Sequence, residues 1–113
     1  LAGTPKIGST LHLISDSGID TGPIIARCPV DADYGATYLD NVLRLYPLGC
    51  ATMVNTVKEI AAGKSLNINN KVSGGAYFRA PTPDLCQKFR AAGLTLCDGR
   101  EIERNISQLR YLG

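Results

Sequence analysis

Leu39, Leu43, Tyr46, Cys50, Met53, Val57 and Ile60 recur at alternating spacings of four and three, and Pro47 stands inside the run. The spacing predicts one amphipathic helix of roughly six turns that ends at Gly63-Lys64, with the apolar stripe as core. Thr37 suits its N-cap, and Asp40, three residues on, suits a capping-box partner. Proline has no N–H to donate, and its ring presses on the carbonyl four residues back, which here belongs to Leu43. The helix must therefore bend near its first third, as it would over a curved sheet.

Short strands precede it. From Thr10 to Ile14 the residues alternate, with Leu11 and Leu13 on one face and Thr10, His12 and Ile14 on the other. Residues 15–22 have loop composition, rich in Ser, Asp and Gly. "PIIARCPV" (23–30) follows as a second strand with Ile24, Ala26 and Cys28 on one face, and Pro29 places it at a sheet edge or end. "LNINNKV" (66–72) is compatible with a brief third strand, and Gly74-Gly75 breaks the chain before Tyr77-Phe78. "TPDLCQKFRAAG" (82–93) has the grammar of a helix: Thr82 as cap, Pro83 at the first position, Asp84 in the first turn and Gly93 as the stop. A last helix runs from Glu101 to Leu112 through Ile102, Ile106 and Leu109, capped by Asp98. The expected class is α/β: short antiparallel strands packed against a long Pro-kinked helix, with two shorter C-terminal helices. Residues 1–70 form the strand-loop-strand-helix part and residues 71–113 a helical extension. The second face of so thin a sheet lacks a cover, so part of the fold or a partner chain should supply one.

Bulk properties narrow the functional classes. A chain of 113 residues, 44% hydrophobic and 19% charged, is one soluble domain's worth without a stretch that could span a bilayer. The first residue is Leu1 rather than methionine, as expected of a fragment, a trimmed chain or one whose first residues are missing. The formal charge is +2, divided as net −1 over residues 1–70 and +3 over residues 71–113. So small a surplus, without interleaved aromatics, argues for a solvated helical surface and against a nucleic-acid partner. Cys28, Cys50, Cys86 and Cys97 form no C-x-x-C pair, and His12 is the only histidine. A zinc set of ordinary spacing therefore cannot be assembled. Cys28, Cys50 and Cys86 stand among apolar residues, as small buried hydrophobes do. A reduced, cytoplasmic protein is expected.

The candidate chemistry lies in "LHLISDSGIDTGPII" (11–25), which holds His12, Asp16 and Asp20 on a glycine-punctuated loop. On residue type alone Asp20 is either a turn-former or an acid/base group, and His12 either a structural or a catalytic histidine. Asp16 is a turn residue. No P-loop, G-x-S-x-G elbow or H-E-x-x-H is present.

In order, the chain carries Gly8-x-Thr10-x-His12, Gly18-Ile19-Asp20-Thr21-Gly22, Pro23-Ile24-Ile25, Pro29-Val30 and Tyr46-Pro47. This order resembles the second half of the folate-dependent formyltransferase domain, found in glycinamide ribonucleotide, methionyl-tRNA and amino-sugar formyltransferases. The likeness covers residues 8–63, and "YFRAPTPDLCQKF" (77–89) is similar to a segment of some members. The resemblance implies a Rossmann-like domain in which an amine attacks the formyl group of 10-formyltetrahydrofolate. Asp20 would be the proton relay, His12 its supporting histidine, and Gly18, Ile19, Thr21 and Gly22 the loop that lines the folate pocket. The family's Asn-x-His pair, which donates to the tetrahedral oxygen, occurs nowhere in this sequence. The chain therefore reads as the C-terminal portion of such an enzyme, inactive alone. It would be completed by the N-terminal half of the domain, or else paired with a second copy as a homodimer. The residues do not identify the acceptor; the helical C-terminus, which lacks the barrel-like tail of the transfer-RNA enzymes, tilts the expectation towards a small-molecule amine such as an amino sugar. The alternative is a non-catalytic remnant of the same scaffold that acts as a binding or assembly module.

Overall fold

The computed structural model describes residues 5–68 and 78–109. They form a small mixed α/β chain with a two-stranded antiparallel sheet, one short helix and three longer ones. Two compact units divide it. The first comprises residues 1–32 and 44–77, the second residues 33–43 and 78–113.

In the first unit, β1 (Lys6–His12) pairs with β2 (Ile24–Asp31), from Lys6↔Asp31 through Gly8↔Pro29 to Leu11↔Ala26. β1 starts four residues earlier than its alternation suggests, because Ile7 and Ser9 continue the inward set of Leu11. Ala32 N–H donates to the Pro5 carbonyl (2.9 Å). Antiparallel ladders alternate bonded and non-bonded pairs, so Gly8↔Pro29 falls on a non-bonded pair and the missing proline N–H faces away from β1. Lys6 and Asp31 form an exposed ion pair at the far end, an arrangement worth little in water.

The long helix is interrupted where Pro47 requires. α1 (Tyr38–Leu43) ends at the residue whose carbonyl Pro47 cannot serve, and α2 (Leu45–Ala61) begins two residues later. Arg44 between them keeps helical angles (φ −60°, ψ −26°), so the ladder stops while the backbone turns on. Pro47 then lies in the first turn of α2, where N–H groups have no helical acceptor anyway. At the other end Gly63, at φ 77°, lets its own N–H reach Ile60 O (2.9 Å) and that of Lys64 reach Glu59 O (3.0 Å), a Schellman stop.

The apolar stripe of α2 is not core, contrary to what its spacing suggests. Tyr46, Cys50, Met53, Val57 and Ile60 are all exposed. The face turned inward is Leu45, Gly49, Thr52 and Thr56, of which Thr56 is 8% exposed. These residues have the same four-three spacing, one position out of phase. Their small size is the reason: a Cβ at Gly49 would meet Ser9 Oγ, so the helix lies directly on β1. Thr52 Oγ1 lies 2.9 Å from Cys28 Sγ on β2 and donates to Leu48 O (2.9 Å), which satisfies its polarity. Among the described residues no hydrophobic side chain is fully buried. Cys28 and Cys86 are half-buried thiols, and Cys50 and Cys97 are exposed ones, so the expectation of buried cysteines does not hold.

The second unit holds α1, α3 (Pro83–Ala91) and α4 (Gly99–Leu109). The grammar of α3 is as expected: Thr82 Oγ1 accepts from Leu85 N (3.3 Å), Pro83 starts the helix, and Gly93 (φ 79°) ends it. Asp98 caps α4 by accepting from Arg100 N (2.8 Å). Glu101 is 4% exposed and closes the capping box by accepting from Asp98 N (3.2 Å). Its other oxygen accepts from the hydroxyl of Thr37 (2.6 Å), which in turn accepts from Asp40 N at the head of α1 (3.0 Å). The next free N–H groups of α1, on Tyr38 and Leu39, donate to Thr95 O and Leu96 O (2.8 and 2.9 Å). Capping bonds therefore join α1 to α4 where apolar burial is slight. Residues 64–68 form no strand, and the rest of the third-strand segment and Gly74-Gly75 lie outside the described residues.

Two outcomes test these contacts. Gly49→Ala gains about 1 kcal/mol of helix propensity but must turn Ser9 Oγ aside at about the same cost. Gly49→Ala alone should thus be near neutral, and in a Ser9→Ala background it should stabilise by about 1 kcal/mol; urea unfolding of the four chains measures the coupling. Thr37→Val should cost about 2 kcal/mol, since it removes a cap and a donor to a buried carboxylate. Amide exchange in α4 should then quicken about thirtyfold.

Candidate functional site

β1 and β2 present two faces. Ile7, Ser9, Leu11, Ala26, Cys28 and Val30 share the face under α2, and Gly8, Thr10 and His12 share the other. The register shifts between Leu11 and His12, so that His12 pairs with Ile24 and Ile25 is the extra residue. This β-bulge corrects the sequence expectation for β2. It moves Ile24 off the face of Ala26 and Cys28 and sets it beside His12. Just beyond, Leu13 N–H donates to Pro23 O (3.0 Å) and closes the base of the loop.

The loop folds back over this second face. A cleft of about 660 Å³ opens there, lined by Gly8, Thr10, His12, Asp20, Thr21, Gly22 and Ile24. His12 Nε2 lies 3.4 Å from Asp20 Oδ1. The imidazole side chain is 26% exposed and the carboxylate 84%, so the ring backs the carboxylate from the strand while the carboxylate stays wet. His12 Nδ1 lies 3.1 Å from Leu13 O, an atom that can only accept. A proton on Nδ1 serves that bond, and Nε2 is the ring nitrogen that faces Asp20.

Local geometry holds the pair. Asp20 has φ 57°, the one non-glycine positive φ among the described residues. Aspartate tolerates this region better than most residues, yet it still costs on the order of 1 kcal/mol. Gly22 passes so close to β1 that a Cβ would collide with Leu13 O and come within 3.2 Å of His12 Nδ1. Asp16 Oδ1 accepts from Gly18 N (2.8 Å) and from Thr21 Oγ1 (3.3 Å), the turn role expected of it.

The structure thus brings together His12, Asp20, Thr21 and Gly22 of the six residues singled out from sequence. Gly18 and Ile19 belong to the loop but not to the cleft wall, and Ile19 is 86% exposed. Thr10 was legible as a wall residue from its alternation with His12, whereas Gly8 lay ahead of the strand expected from Thr10 to Ile14. Ile24 was not legible, because the bulge reverses its side. Chemically the arrangement offers an exposed carboxylate backed by an imidazole, two threonines, one aliphatic wall and, at Gly8, a wall position without a side chain. Among the described residues no group of His, Cys, Asp or Glu could hold a metal ion, and no helix is long and apolar enough to cross a membrane.

No family model, curated protein or solved structure matches this chain.

Gly22→Ala tests the loop closure. The new Cβ meets a backbone carbonyl that cannot rotate away, so the variant should lose about 3 kcal/mol and separate His12 from Asp20. Thermal unfolding and nuclear Overhauser contacts between the two side chains report on each.

Proposed function

We propose that this chain is the C-terminal portion of a 10-formyltetrahydrofolate-dependent formyltransferase acting on a primary amine. The observation that carries the reading is the 3.4 Å approach of His12 Nε2 to Asp20 Oδ1 in an open cleft on the sheet face opposite α2. The ordered motifs from Gly8 to Pro47 bring the idea, and this approach supports it: the two polar groups assigned to one reaction stand together although seven residues separate them.

The cleft suits part of such a donor. Its volume lies within the range of roughly 300–1,000 Å³ common for small-molecule sites. Gly8 puts no side chain between a flat heterocycle and the strand, Ile24 supplies an apolar contact, and the Thr10 and Thr21 hydroxyls suit its polar edge. When bound, the folate supplies the formyl carbon. Asp20 would take the proton lost by the attacking amine and return it to the departing folate nitrogen, and its exposure keeps it in touch with water. His12 orients the carboxylate from the strand. Donors for the developing oxyanion are not in this sequence, and an Asn-x-His segment of the completing half would bring them. The acceptor is a small-molecule amine in this proposal, with an amino sugar the favoured kind.

A second reading is an assembly module that keeps the scaffold without the chemistry. The exposed apolar stripe of α2 favours it, as does the absence of any fully buried hydrophobic side chain among the described residues.

One experiment separates them. The chain is mixed with a polypeptide that carries the Asn-x-His half, and formyl transfer from 10-formyltetrahydrofolate is followed beside folate binding. Asp20→Asn keeps the tolerance for positive φ and removes the base. It should lower turnover by about 10²-fold or more with binding largely kept. Full turnover in that variant would remove Asp20 from the mechanism. A mixture that binds no folate and transfers nothing, while the chain self-associates, would favour the assembly module.

A further inference from the structure

Nine residues, Ile14 to Gly22, lie between the closed base of the loop and its return, and Asp20 must hold an unfavourable φ among them. Among the described residues, the loop's backbone–backbone bonding is confined to Leu13 N–H and Pro23 O at the base. What braces the interior is one side chain. Asp16 Oδ1 takes the Gly18 N–H at 2.8 Å, which bends the chain at the tip, and the Thr21 hydroxyl at 3.3 Å, which ties down the residue next to Asp20. Gly18 is matched to this brace: a Cβ there would overlap Thr21 Oγ1 and come within 2.9 Å of Asp16 Oδ1.

We infer that Asp16 is a positioning residue: its carboxylate latches Gly18 to Thr21 and thereby keeps Asp20 turned toward His12. Asp16 is not part of the cleft wall, so it acts only through the loop. This deepens the formyl-transfer proposal and rests on it for the reaction that is served. The latch is exposed to solvent, so it biases the loop rather than freezing it. Removing it should shift the loop toward arrangements in which Asp20 has left the imidazole.

The test reads geometry first and activity second. In the full chain, nuclear Overhauser contacts between the His12 ring protons and the Asp20 β protons are compared in the wild type, Asp16→Ala, Asp16→Asn and Thr21→Val. Asp16→Ala should weaken the contact about fivefold, the change that loss of an exposed hydrogen bond to a charged acceptor sustains. Asp16→Asn, which keeps an oxygen acceptor at the same place, should restore most of it. Thr21→Val removes one of the two donors and should fall between; it also serves if Asp16→Ala does not fold. Wild-type contact in both Asp16→Ala and Thr21→Val would overturn the latch, as would equal loss in Asp16→Ala and Asp16→Asn. With the Asn-x-His half added, turnover of the two Asp16 variants should follow the same order while their folate binding stays near the wild type. Correct contacts without any turnover in the wild type would leave the latch standing and reject formyl transfer instead.

Discussion

A pair of strands alone is marginal in water, so the β1–β2 ladder needs something laid against it. That something is α2, and it comes close because its inward face is small. Gly49 sits over Ser9, and Thr52 meets Cys28. A bulkier face would bury more apolar area, but it would hold the helix off the sheet. The close contact therefore favours proximity over hydrophobic yield. What remains of the helix, the run from Tyr46 to Ile60 with the stronger apolar signal, is left to solvent.

The site occupies the opposite face, and the division suits both. Successive side chains on a strand face opposite ways, so residues one apart meet different surroundings: Leu11 lies under α2 while His12 backs Asp20. The loop that brings Asp20 to His12 accepts backbone strain at the carboxylate itself. Such strain persists only where neighbours over-determine the geometry, and here Gly22 against β1 and the bonds of Asp16 take that part. The second unit is held differently. Its α1 and α4 meet through Thr37 and Glu101, a polar joint whose groups satisfy one another.

Much of this was legible in the sequence where a residue's own chemistry decides the outcome. Proline at 47 interrupts its ladder wherever it is placed, and Thr82, Asp98, Gly63 and Gly93 cap or stop helices by local bonding alone. Asp16 makes its turn for the same reason. Legibility failed where two options of equal period compete. The stripe of Tyr46, Cys50 and Met53 and that of Gly49, Thr52 and Thr56 fit a helix equally well, and hydropathy favours the first. The approach to Ser9 selects the second, and that is a tertiary fact absent from any periodicity. Ile24 failed similarly, since a bulge leaves no compositional trace in "PIIARCPV". The meeting of His12 and Asp20 was suggested by motif order, whereas the brace between them was visible only in three dimensions.

The extra residue at Ile25 carries a consequence for how this segment tolerates change. A strand has a two-residue phase, and a one-residue slip turns every side chain over. Ile25 absorbs one such slip between the ladder and the loop. The loop's ends are fixed by the single Leu13–Pro23 bond. Residues can thus be gained or lost between 14 and 22 without re-registering the sheet. Loss of Ile25 itself would make His12↔Ile24 the next regular pair after Leu11↔Ala26, so Ile24 would keep the cleft side and the strand would lose its local bend alone. A residue gained or lost within the paired run from Ala26 to Val30 would instead turn over every side chain beyond it. For this segment, length is forgiving at the tip and at the bulge, and unforgiving inside the ladder.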